Sequence, residues 1–168
     1  MLGNEEILMK NLIYRALIAF PLLSIAFAGS VLAADTTPTP TESAKFDDFA
    51  AGKKAISANN WTVAIDSFKK AVAENPKNAD AHNLLGYSYR AVGKFDDSFA
   101  AYDKALALDP KHKGALEYSG MGYLKTNQKA KAEAQLAKLK VICASCPETT
   151  SLAKAVTEFK PGMVTSTY

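Results

Sequence analysis

The sequence predicts an all-α protein, a helical-repeat solenoid of three helix-turn-helix units closed by a C-terminal capping helix. Three observations carry that expectation. Gly52, Gly86 and Gly120 stand 34 residues apart, and the positions around them repeat at the same interval. Within each period, small and apolar residues recur at helical spacing. Asn59, Gly93 and Asn127 share the 34-residue interval and fall mid-period. Gly and Asn are the residues that tolerate the left-handed backbone of a helix end.

Composition agrees. The chain has 168 residues, 48% hydrophobic and 22% charged, which fits one ordinary globular domain and argues against wholesale disorder. A net charge of +3 is too small to argue for nucleic acid. Two cysteines exclude a disulfide-dense mini-protein. Residues 34–110 hold 9 basic and 11 acidic side chains, whereas 111–168 hold 9 and 4. That basic second half reads as a solvated Lys-rich face, with weak attraction to anionic partners as the functional alternative.

The elements follow in chain order. Lys10 and Arg15 precede the apolar stretch Ala16–Ala28, and small residues follow up to Val31-Leu32-Ala33-Ala34. This order describes a secretory signal peptide over 1–33, cut after Ala33. The stretch is short for a transmembrane anchor and contains Pro21. Glu5 and Glu6 are out of place before such a segment, so Met9 is the expected true start. Residues 34–44 are polar and Pro/Thr-rich, which predicts a disordered leader.

The three units are expected at 45–78, 79–112 and 113–146. In the middle unit a first helix runs through Ala81–Tyr89 and ends near Gly93. A second covers Phe95–Leu108 and stops before Pro110. Small residues at Gly86 and Ser98 let the two helices approach, while Tyr89 and Tyr102 fill the space beside them. Phe68, Tyr102 and Leu136 are the large apolar residues in one register. A capping helix is expected over 147–160, with Leu152, Ala155, Val156 and Phe159 on its apolar face, and a loose tail over 161–168.

This pattern resembles the tetratricopeptide repeat (TPR), a 34-residue helix-turn-helix unit. Leu85, Gly86, Tyr89, Ser98, Tyr102, Ala105 and Pro110 occupy seven of the eight signature positions of the middle unit. His82 stands at the eighth, normally Trp, and is expected to pack there. The first unit keeps Gly52, Ala64, Phe68, Ala71 and Pro76, and the third keeps Gly120, Tyr123 and Ala132.

The resemblance implies a concave groove, lined by the first helix of each unit, that holds peptides or partner proteins. Carried over by position, its candidate residues are Phe49, Lys53, Asn83, Tyr87, Arg90, Glu117, Tyr118, Met121 and Lys125. Phe46, Ala50, Ile56, Ser57, Asp80, Leu84, Ala91, Gly114 and Leu124 share those family positions, and Ile56, Leu84 and Leu124 are expected to pack instead. Aromatic and apolar residues beside three cations suit an extended segment with an apolar anchor and an acidic group. Chaperone-binding members clamp a C-terminal carboxylate with Lys, Asn and Arg. Here Phe49, Lys53, Leu84, Gly114 and Tyr118 hold the matching positions, so that ligand class is not expected.

Cys143-Ala144-Ser145-Cys146 falls where the last unit meets the cap. Two near thiols in an oxidising compartment predict a disulfide staple, and a redox pair is the sharper alternative. Zinc would need two further ligands, and His82 and His112 lie in another unit. Pro147 after Cys146 excludes the c-type haem motif. No phosphate loop, HExxH or GxSxG occurs, and no cofactor is implied. His112 is placed in an inter-repeat turn. The expected function is therefore a non-enzymatic scaffold or adaptor in the periplasm or secreted, binding a protein or peptide and not nucleic acid. A thiol–disulfide protein is the alternative.

Overall fold

The computed structural model describes residues 47–162. The expected signal peptide and leader, Phe46 and residues 163–168 of the tail lie outside the described residues. These comprise seven helices and no strand: α1 (Asp48–Ser57), α2 (Trp61–Glu74), α3 (Ala79–Ala91), α4 (Phe95–Leu108), α5 (Lys113–Lys125), α6 (Lys129–Ile142) and α7 (Pro147–Glu158). Helices α1/α2, α3/α4 and α5/α6 form three hairpins. Each hairpin packs on the next, and α7 lies against both α5 and α6. This is the expected all-α repeat architecture with its cap.

All three hairpins turn by the same device. Asn59, Gly93 and Asn127 adopt φ of 53°, 76° and 60°. The following N–H then reaches back to the carbonyl of the last turn: Asn60 to Ala55 at 2.8 Å, Lys94 to Tyr89 at 2.9 Å, Gln128 to Tyr123 at 2.7 Å. This closure satisfies carbonyls that the helix end would leave orphaned. At the helix starts, Asp47, Asn60 and Asn78 each accept the N–H three residues on, from Ala50, Val63 and Ala81. His112 does the same, its Nδ1 accepting from Ala115 N at 3.1 Å, while Nε2 lies 3.0 Å from Asp80 Oδ1.

Close approach within a hairpin depends on glycine. A Cβ on Gly52 would stand 2.7 Å from the Phe68 ring, and one on Gly86 2.7 Å from the Tyr102 ring. Phe68 and Tyr102 are fully buried as a result, each worth about 1.5–3 kcal/mol in apolar transfer. Ser98, where the family prefers Ala, is also buried and donates to the Gly86 carbonyl at 2.8 Å. The core continues from hairpin to hairpin. Phe68 clusters with Leu85 of the second hairpin and Tyr102 with Ala115 of the third, while Leu116, Leu136 and Leu139 pack with Leu152 and Val156 of α7.

Two expectations need correction. Phe159 is not on the helical face of the cap, because α7 ends at Glu158 and Phe159 is extended (φ −63°, ψ 125°). Pro161 disfavours helical backbone at Lys160, so the chain leaves the helix just before it. Thr149, Leu152 and Val156 form the buried face instead. His82 does not serve as an apolar packing residue. It is half-buried, and its Nε2 lies 3.0 Å from the Pro76 carbonyl in the preceding turn.

Candidate functional site

The first helices of the three hairpins, α1, α3 and α5, carry the residues of interest. Tyr87 and Tyr118, one from each of two successive hairpins, place their ring centroids 5.0 Å apart with a 40° tilt. Trp61, from the start of α2, meets Tyr87 edge-on at 5.7 Å. The Arg90 guanidinium carbon lies 5.2 Å from the Tyr87 centroid and 5.7 Å from that of Tyr118. A cation over two ring faces is held by their quadrupoles. Tyr87, Tyr118 and Trp61 are each half-buried, so the aromatic surface is partly open to solvent.

Arg90 itself is only 6% exposed. Its stem passes α5 where a Cβ on Gly122 would stand 3.6 Å from Arg90 Cδ. Its charge reaches its neighbours. The Lys125 ammonium is pushed down, first by burial and then by Arg90. Burial pushes the Tyr118 phenol up, and the Glu117 carboxylate adds to that. Glu117 is itself pushed up, mainly by burial. A hydrogen bond from Ser151 and the charge of Arg90 oppose that shift, and Glu148 reinforces it.

Asn83 is buried beside this cluster at 5% exposure, and its Oδ1 has no hydrogen-bond partner. Its amide nitrogen would be 3.1 Å from a Cβ on Gly114. Phe49 and Lys53 form a smaller pair on α1. The Lys53 ammonium sits 5.6 Å from the Phe49 centroid, while Phe49 leans on Phe68 at 5.9 Å. Met121 is half-buried against the core around Leu116 and Leu139, as is Leu124. Ile56 and Leu84 pack at the edge of the core around Phe68. The structure thus brings Tyr87, Arg90, Glu117, Tyr118 and Lys125 into one interacting group and sets Phe49 with Lys53 apart.

Three members of the site were not identified from sequence. Trp61 opens a second helix, whereas the groove expectation drew only on first helices. Ser151 and Glu148 come from the capping helix. Glu148 pairs with Lys113 at 3.7 Å and is held below the ordinary carboxylate range, first by its own backbone N–H at the start of α7. Nothing local in the sequence announces a contact between residues 117 and 151.

The cysteine pair brackets the joint between α6 and α7. Cys143 is the C-cap of α6 and Cys146 the N-cap of α7. Both thiols are free. Cys146 Sγ lies 3.2 Å from the Cys143 carbonyl and 3.4 Å from Thr149 Oγ1, and Thr149 Oγ1 donates to the same carbonyl. The Cys146 thiol is pulled down, chiefly by its hydrogen bond with Cys143 and then by that with Thr149. The Cys143 thiol is pushed up as the donor of that bond. Among the described residues, no cluster of three or more His, Cys, Asp or Glu is placed to hold a metal ion.

Known proteins share the repeat. The profile of the family described as "Tetratricopeptide repeat" matches residues 49–113 and 85–145. A curated relative, the probable UDP-N-acetylglucosamine–peptide N-acetylglucosaminyltransferase SPINDLY of Hordeum vulgare, is 40% identical over 55 residues. The match covers 33% of this chain but only 6% of that protein. Among solved structures, the Arabidopsis OM64 TPR domain superposes with a TM-score of 0.62 at 17% identity, over 66% of this chain and 91% of that one. The first TPR of Spaghetti (RPAP3), bound to the HSP90 peptide SRMEEVD, gives 0.61 at 17% identity, over 66% and 90%. At these identities the structural likeness concerns the fold.

Proposed function

Because the chain belongs to the tetratricopeptide repeat family, we propose that it is a non-enzymatic scaffold that holds an extended segment of a partner protein across α3 and α5. The observation that carries this reading is the half-buried Tyr87–Tyr118 pair, flanked by Trp61 and anchored by Arg90. Half-buried aromatic rings held rigidly by neighbours are what binding hot spots are made of. The peptide-bound RPAP3 domain supports the reading at the level of ligand type. The partner segment is proposed to be an internal one. The positions that would clamp a terminal carboxylate carry Phe49, Lys53, Leu84, Gly114 and Tyr118.

We place the protein in the cell envelope, on the strength of the signal-like order over 1–33. A mature N-terminus at Ala34 in a periplasmic fraction is the expected result, and an intact N-terminus in the cytosol would overturn that placement.

The groove is tested by capture from envelope extract without reductant, comparing the native chain with a Tyr87→Ala/Tyr118→Ala variant. The captured partner is then titrated against purified protein, with the single Trp61 as the fluorescent reporter. A saturable emission change that the variant lacks is expected. Equal affinity for the variant would mean that partners use another face.

A further inference from the structure

We propose that Cys143 and Cys146 form a thiol–disulfide exchange site, in which Cys143 takes the mixed disulfide from an incoming disulfide and Cys146 resolves it into a bridge across the α6–α7 joint. This inference does not depend on the groove reading.

The geometry divides the two roles. Only Ala144 and Ser145 separate the cysteines, and each caps a different helix. Cys146 folds back, its sulfur 3.2 Å from the Cys143 carbonyl, and the two thiols are near enough to share a hydrogen bond. Access is unequal: Cys143 is half-buried, whereas Cys146 is 8% exposed. An external sulfur therefore meets Cys143 first.

The other sulfur is the one that favours the anion. Cys146 opens α7, where the helix N-terminus favours an anion, and its hydrogen bonds with Cys143 and Thr149 favour the anion too. A stabilised thiolate is a good leaving group in exchange. In the reducing direction a thiol attacks Cys143 and Cys146 departs. In the oxidising direction the same path runs backwards.

Exchange starts from the dithiol after one proton has gone to water, with the anion favoured on Cys146. The Cys143 proton passes to that sulfur, and the Cys143 thiolate attacks R–S–S–R. One S–S bond forms on Cys143, the substrate S–S bond breaks, and RS⁻ leaves with the proton from Cys146. The Cys146 thiolate then attacks the Cys143 sulfur and expels the second RS⁻, which takes a proton from water. The protein dithiol is oxidised by two electrons, and one disulfide is reduced to two thiols.

A permanent staple is the competing account. A bridge closing so short a loop gains little from chain entropy. The sheltered sulfur would be its leaving group and the open one its point of attack, so the bridge should be readily reversible.

The test uses the full reduced chain, with glutathione disulfide in one arm and a small disulfide-bonded protein, insulin, in the other. In acid-quenched samples the native chain is expected to lose both free thiols and to regain them in excess reduced glutathione. Cys146→Ser should accumulate the adduct on Cys143 about tenfold or more above any adduct on Cys143→Ser. An adduct with both probes would show that protein disulfides are accepted, and one with glutathione alone that the site takes small disulfides. Circular dichroism checks that the variants are folded, and the native-chain measurement stands without them. Trapping on Cys146, equal adducts in both variants, or a native bridge that excess glutathione cannot open would overturn the proposal.

Discussion

Leu152 of α7 lies so close over Gly120 of α5 that a Cβ on the glycine would stand 2.6 Å from Leu152 Cδ2. In the first two hairpins the corresponding glycine meets an aromatic ring of its own second helix, Phe68 or Tyr102. The third hairpin has the smaller Leu136 in that register, and the nearest side chain comes from the cap instead. Helix α7 therefore completes the core of the third repeat rather than merely covering it. Leu152→Ala should cost about 2–5 kcal/mol, read from urea unfolding, and Leu152→Met less than about 1.5 kcal/mol. Gly86→Ala should cost more than Gly120→Ala. At Gly86 the obstruction is a rigid ring plus the Ser98 carbonyl, and at Gly120 it is the end of a flexible leucine. The reverse order would sink this account of the cap.

The three hairpin turns differ in residue but not in backbone, and this permits a clean substitution series. A Cβ on Gly93 would meet nothing within 4 Å, so the cost of a side chain there is the left-handed backbone alone. Gly93→Ala should lose about 1 kcal/mol. Gly93→Asn should lose clearly less, since Asn59 and Asn127 hold the same conformation in the sister turns. Thermal unfolding of the two variants decides it, and equal losses would contradict the explanation.

These turns were also the most legible part of the sequence. A left-handed residue leaves a local mark, Gly or Asn, and three such marks at one interval place three hairpins without any knowledge of packing. The close approach at Gly86 and Ser98 was readable for the same reason, being short-range, whereas the structure adds that Gly52 lies against the Phe68 ring and Gly86 against that of Tyr102. What escaped was non-repeating or long-range. Leu152 over Gly120 breaks the periodic rule, because a terminal repeat has no successor. Trp61 belongs to a second helix, yet its ring crosses to Tyr87 of the next hairpin. Arg90 was expected as a groove cation, and its type and position gave no sign that Tyr87, Tyr118 and the gap at Gly122 would enclose it.

His112 was read as a turn residue, and the structure gives it a more definite task. Its Nδ1 caps the first turn of α5 as the Asn78 carbonyl oxygen caps that of α3. His112→Ala should therefore cost about 1 kcal/mol, and His112→Asn should restore most of it. Asp80, its partner at Nε2, has a side chain 74% exposed. Asp80→Ala should consequently change stability by less than about 1 kcal/mol. Denaturant midpoints check all three, and a larger effect at Asp80 than at His112 would make the His112–Asp80 hydrogen bond, not the cap, the stabilising element.

Glu117 of α5 and Glu148 of α7 shift in opposite directions, and so predict opposite pH behaviour. Glu117 is raised, chiefly by burial. Its contribution to stability is fully present below the ordinary carboxylate value and is lost as pH rises through the raised one. Glu117→Gln should therefore stabilise the protein at neutral pH, and the gain should vanish in acid. Glu148 is depressed, chiefly by its helix-start N–H, with Lys113 also contributing. Its contribution is present above the ordinary value and is lost as pH falls through the depressed one, so Glu148→Gln should destabilise at neutral pH. The charge of Glu148 is also one cause of the rise at Glu117. The gain from Glu117→Gln should thus shrink when Glu148→Gln is already present. Each effect should stay under about 1 kcal/mol, since both side chains are only half-buried. Melting temperatures of the two single variants and the double, taken across the acid range, test the scheme. Additivity at neutral pH would show that the two carboxylates do not interact and that α7 leaves the groove's electrostatics alone.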